Sequence, residues 1–224
     1  MNGIGEPDRQ GALARSAVYD FLAGLFAYHF RLEDVADGLA GKADRVVAAA
    51  EVLHGSGYRF DVGDALDAVR AAGNIAALTE LQAEYVALFD RPSTGHTLSP
   101  FESVQRKGMV DLHNLAALGE SYQRFGLALA PDAAETADHC SVEFAFMSFL
   151  AFREGEALRL GQDAHTYGQA QSAFLRDHIM QWMPRWLKNL AEAARHPYFA
   201  AAAGLAAMVL AEDAEMLGAS AVPD

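Results

Sequence analysis

The sequence has one cysteine in 224 residues, Cys140, so an intrachain disulfide is excluded. A single thiol also cannot form the CxxC pairs of a structural zinc site, and it suits a reducing compartment. Isoleucine (3) and threonine (5) are scarce. No stretch alternates apolar and polar residues with a period of two, so nothing points to a sheet. No long apolar run is present. The longest, YFAAAAGLAAMVLA (198–211), falls short of the roughly 20 residues that span a bilayer and suits a buried core helix. Basic excess is missing too: 17 Lys and Arg stand against 30 Asp and Glu, a formal charge of −13. Such a surface repels nucleic acid and anionic lipid and attracts cationic partners. The opening, MNGIGEPDRQGALAR, has no basic region leading into an apolar core. A cytoplasmic protein is expected, with no stable membrane insertion and no nucleic-acid partner.

What is present is apolar and helical. Hydrophobic residues make up 52% and charged residues 21%, the balance of a folded chain. Alanine and leucine dominate, and both lose little entropy in a helix. Leu13, Ala17, Phe21, Leu25 and Tyr28 recur at helical spacing over 8–30. Shorter helices are expected near 33–53 and 61–72. A stronger one covers 74–89, with Asn74 as N-cap and Ile75, Leu78, Leu81, Tyr85, Leu88 and Phe89 buried. DRPSTGHTLSPFES (90–103) reads as a loop, and Pro92–Pro100 should be exposed or mobile. One helix is predicted from about 101 to 125, with Met109, Leu112, Leu115, Tyr122 and Phe125 on its inner face. Another runs over 137–155. A long helix, kinked at Pro184, covers about 168–190, and a last one covers 197–217. The expectation is one all-α domain, 1–224, a helical bundle that buries Leu88, Phe146, Leu150, Ile179 and Leu190.

The stretch TADHCSVEFAFMSFL (136–150) concentrates reactive side chains. His139 and Glu143 are four apart and share a helix face. Carboxylate-bridged di-iron bundles need Glu-x-x-His on two helices and further glutamates on two others. The sequence has no second copy. Asp138, His139 and Cys140 are adjacent, so their side chains diverge and make no relay. No GxSxG elbow and no GxxxxGK[ST] phosphate loop occurs. No catalytic residue, metal or cofactor is therefore assigned. The alternative is a helical metal- or ligand-binding enzyme using His139, Glu143 and His178. A third reading is a structural accessory subunit. For Asp138 the simplest role is a cap in the first turn of its helix.

Four fragments occur in order. They are Tyr85-x-x-Leu88-Phe89; Ser99-Pro100-Phe101-Glu102-Ser103-Val104; Glu135-x-x-Asp138-His139-x-x-x-Glu143-Phe144-x-Phe146-Met147; and Phe174-Leu175-x-x-His178-Ile179-x-x-Trp182-x-Pro184-x-Trp186. Arg15-x-x-x-Tyr19-x-x-Leu22-x-x-Leu25-Phe26 precedes them. This ordered set resembles the TorD/DmsD/NarJ family of molybdoenzyme maturation chaperones, most strongly over 12–190. Thr136 stands where that family often carries a proline. The resemblance implies an all-helical cytoplasmic chaperone that binds the N-terminal leader, often twin-arginine, of the apo form of a molybdopterin oxidoreductase subunit. It implies assistance to cofactor insertion before export, and it leaves both a monomer and a homodimer open. A receptor for two guanidinium groups and an apolar segment needs carboxylates and an apolar groove. The candidates are the acids Glu102, Glu135, Asp138 and Glu143 and the walls Tyr85, Phe89, Phe101 and Trp182. Pro100, Ser103, His139 and His178 complete the set.

Overall fold

A computed structural model describes residues 5–27, 40–71, 75–90, 98–131, 133 and 135–219. Among these the secondary structure is helical, with no strand beyond one isolated bridge. The helices are α1 (Gly5–Phe26), α2 (Ala40–Gly55), α3 (Gly63–Ala71), α4 (Ile75–Tyr85), α5 (Glu102–Lys107), α6 (Leu112–Gln123), α7 (Cys140–Arg159), α8 (His165–Phe174), α9 (Met180–Ala193) and α10 (Pro197–Met216). Single π-turns, Val86–Asp90 and Leu175–Ile179, extend α4 and join α8 to α9. The all-α expectation holds, and Leu88, Phe146, Leu150, Ile179 and Leu190 are all buried.

The centre is a pair of antiparallel helices. Tyr19 and Phe26 of α1 meet Phe144 of α7, while Arg15 pairs with Glu154 at the other end. Gly155 allows the approach: a Cβ there would lie 2.8 Å from the Leu13 side chain. A buried carboxylate, Asp213 of α10, ties this pair to the rest. It accepts hydrogen bonds from Tyr19 and Tyr58, each at 2.6 Å. α9 packs on α10 and α5, and its Trp186 stacks near Phe26, Phe89 and Trp182.

Three expectations change. The helix expected over 101–125 is two. Gly108 takes a left-handed φ of 74° and closes α5, donating its N–H to Val104. Asp111 then caps α6, its side chain accepting from the His113 N–H. Met109 and Leu112 are consequently 68% and 77% exposed rather than buried. Leu118 takes the core position instead. Second, Ser99 and Pro100 are buried, against the expectation of an exposed loop to Pro100. Residues 91–97 of that loop, Tyr28, Asn74 and the start of the 33–53 helix lie outside the described residues, as does the Ile75 side chain. Third, the one helix expected over 168–190 is divided by the 175–179 π-turn into α8 and α9, with Pro184 inside α9 as expected. Proline removes one ladder donor, and π-turns often mark functional positions. Here the turn carries His178.

Candidate functional site

Pro100, Phe101, Glu102, Ser103, Asp138 and His139 meet where the segment 98–103 crosses the start of α7. Phe101 and His139 face each other as an antiparallel bridge. The Glu102 N–H donates to the Asp138 carbonyl at 2.9 Å, and the Cys140 N–H donates to the Pro100 carbonyl at 2.8 Å. Two chain segments distant in sequence are thus held as a short ribbon at a helix start. Trp186 of α9 fixes the segment's other end, donating from Nε1 to the Leu98 carbonyl at 2.9 Å.

Asp138 does not cap α7. The N-cap is His139, whose Nδ1 accepts from the Ser141 N–H. Asp138 turns to α5 instead: Oδ2 accepts from the Ser103 hydroxyl at 2.5 Å and its N–H at 3.3 Å. Oδ1 accepts from the Thr136 hydroxyl at 2.6 Å. Thr136 therefore holds the aspartate through its hydroxyl. The sequence-based capping role for Asp138 is corrected on this geometry: the chain enters α7 one residue later, and a buried carboxylate must collect donors wherever they lie.

Glu102 is fully buried and has three donors. Arg106 Nη1 lies 2.5 Å away, Asn114 Nδ2 3.0 Å and His178 Nδ1 3.1 Å. Burial alone would raise its pKa; the bonds from His178, Asn114 and Arg106 outweigh it and hold the carboxyl below its usual range. Glu143 is the opposite case. It is fully buried, its Oε2 takes only the Trp182 Nε1–H at 3.3 Å, and its Oε1 has no partner. Burial, and then the nearby Glu102 charge, push its pKa well up, which favours the neutral form.

His139 is also fully buried, and burial lowers its pKa to about 4. Because Nδ1 accepts from Ser141, the proton sits on Nε2. That Nε2 has no hydrogen-bond partner; Glu135 Oε2 is 3.7 Å away. Glu135 is partly exposed, and burial together with Asp90 raises its pKa. Phe101 covers the imidazole edge-on at 5.0 Å between ring centres.

All the acids except Glu135 are therefore buried in this conformation, as are Tyr85, Phe89, Pro100, Ser103 and Trp182. The expected groove is closed. Tyr85 and Phe89 pack on each other and on Phe199, which makes them core rather than groove wall. His139, Glu143 and His178 serve three different partners. Among the described residues no group of three or more His, Cys, Asp or Glu could hold a metal ion. Arg106, Asn114 and Ser141 belong to the network and were not foreseen. Arg106 was legible as an i+4 partner of Glu102; Asn114 depends on the Gly108 turn that brings α6 back.

Comparison with known proteins gives the same direction. Residues 58–188 match the family described as nitrate reductase delta subunit. A selenate reductase assembly chaperone protein of Thauera selenatis is 32% identical over 110 residues, 49% of this chain and 57% of its own length. A chlorate reductase assembly chaperone protein of Ideonella dechloratans is 33% identical over a stretch of the same coverage. This chain thus spans somewhat over half the length of those two relatives. The chaperone protein TorD of Vibrio cholerae is 25% identical over 91% of both chains.

Proposed function

This chain belongs to the nitrate reductase delta subunit family, the TorD/NarJ group, and from that premise we propose that it is an assembly chaperone for a molybdopterin oxidoreductase subunit. It binds the N-terminal leader of the apo-subunit in the cytoplasm and holds it while the cofactor is inserted. It performs no chemistry of its own. The leader engages the junction of segment 98–103 with α7.

One observation carries this reading: two buried polar atoms, His139 Nε2 and Glu143 Oε1, lack partners among the described residues at that junction. A buried polar group without a partner costs roughly 1–3 kcal/mol, so a ligand that supplies partners recovers that amount. A guanidinium fits Glu143 Oε1, while the His139 Nε2–H needs an acceptor, which a backbone carbonyl of the leader supplies. The guanidinium brings forked donors and a charge, and it favours the ionised form of Glu143, which burial disfavours when the site is closed. Phe101 must first swing off His139, and the acidic chain as a whole speeds encounter with a cationic peptide.

Glu143→Gln tests it. Glutamine copies the neutral acid, so the melting temperature should change little. It cannot ionise opposite an arginine. Titration with the leader peptide of the cognate subunit should show Kd raised about 10- to 100-fold, the loss of one charged hydrogen bond. Wild-type affinity in this variant would place the leader elsewhere.

A further inference from the structure

α3 and α10 leave a groove between them of about 580 Å³. Its floor is apolar and small: Ala65, Ala68, Ala201, Gly204, Leu205 and Met208. Gly204 lies midway along α10, and a Cβ built there meets nothing within 4 Å. Glycine at mid-helix is a poor helix former, and among the described residues no neighbour occupies the space. Three carboxylates, Asp61, Asp64 and Asp67, form the α3 side, and all three are exposed. Among the lining residues there is no lysine or arginine. Asp61 also accepts from the Gly63 N–H, and Asp67 pairs with exposed Arg70 at 3.1 Å, a contact screened by water. Met208 is 40% exposed at the groove's far end, a flexible side chain suited to an adaptable apolar contact.

We propose that this groove is a second docking surface, separate from the α5–α7 junction, and that it takes an amphipathic helical segment of the reductase subunit whose apolar face is flanked by arginine or lysine. The inference rests on the reading above that the chain binds such a subunit. The groove's own chemistry selects the occupant. Alanine and glycine let a third helix approach closely, as helices pack at roughly 8–10 Å between axes. An apolar stripe fills the floor, and cations on one flank meet Asp61, Asp64 and Asp67. Anionic flanks would face three like charges.

The test uses the full chain and a labelled 18-residue peptide with leucines on one face and arginines on its flanks. A control peptide carries glutamates in place of the arginines. Gly204→Leu fills the groove and should melt no lower than wild type, since the position is open and helical. The arginine peptide should bind wild type, with Kd at least tenfold higher in Gly204→Leu. It should also weaken at least tenfold in the Asp61→Asn, Asp64→Asn, Asp67→Asn triple variant, which removes only charge. The glutamate peptide should bind at least tenfold more weakly than the arginine peptide. Equal binding to wild type and Gly204→Leu, equal binding of the two peptides, or no binding would overturn the proposal. Binding lost in Glu143→Gln but kept in Gly204→Leu would overturn the groove while leaving the α5–α7 reading intact. A homodimer of the free chain that Gly204→Leu dissociates would make the groove a self-association face, which also overturns it.

Discussion

Asp138→Asn separates a cap from a cross-brace. If Asp138 were an N-cap, the change would be nearly silent, because asparagine caps about as well as aspartate. The structure gives a different expectation. The carboxylate accepts three bonds, from the Ser103 hydroxyl, the Ser103 N–H and the Thr136 hydroxyl, and it is 2% exposed. A bond to a charged group contributes about 1.5–3 kcal/mol and a neutral one about 0.5–1.5. Asparagine makes every bond neutral and turns one acceptor into a donor. The loss is then about 1 kcal/mol per bond, or roughly 2–3 kcal/mol in all. In a chain of this size that lowers Tm by about 4–12 °C. Asp111→Asn is the internal control: Asp111 is a true cap, accepting from the His113 N–H at 3.0 Å, and its loss should be below about 0.5 kcal/mol. Thermal and urea melts of the three proteins measure both. If Asp138→Asn melts within a degree of wild type, the brace between α5 and the α7 entry contributes nothing, and the reasoning fails.

Other outcomes follow from the same network. His139 has a folded pKa near 4, below its unfolded value of about 6.5, so its burial favours the neutral form. Its contribution is complete above pH 6.5 and is lost as pH falls towards 4, an amount of about 3 kcal/mol. His139→Asn, which can still cap α7, should therefore show a flatter fall in stability from pH 7 to 4.5; parallel curves in urea melts would contradict this. Trp186→Phe removes the bond to the Leu98 carbonyl and should cost about 1–3 kcal/mol. An unchanged midpoint in denaturant would show that the 98–103 segment needs no such anchor. A leader whose apolar stretch is replaced by serines should bind worse than one with both arginines changed to lysine, since lysine keeps the charge and loses only the fork. Calorimetry giving the reverse order would point to an arginine-dominated site.

Helix periodicity made most of the fold legible before any coordinates. The stripes through Leu13 to Leu25 and Phe174 to Leu190 were set by apolar spacing, which local sequence reports directly. The break at Gly108 was missed because Met109, Leu112 and Leu115 continue the same spacing across it. The left-handed glycine and the Asp111 cap were the available signals, and periodicity overrode them. At the site, residue identities were readable and their roles were not. Asp138, His139, Glu102 and Glu143 do meet. Which of them caps, which braces and which stays neutral depends on donors arriving from α5, α6 and α9. Sequence spacing says nothing about those crossings. Exposure was misjudged for the same reason: a carboxylate beside a loop reads as solvated until three donors from other helices enclose it, as they enclose Glu102.

We propose above that this chain holds a reductase subunit by its N-terminal leader. Co-expression with the cognate catalytic subunit, with and without that leader, tests it most directly when the purified complex is weighed by native mass spectrometry and assayed for bound molybdenum cofactor. The expected result is a complex of this chain with a cofactor-free subunit that disappears when the leader is deleted. A complex that forms equally well without the leader, or one that holds only the cofactor-loaded subunit, would contradict it.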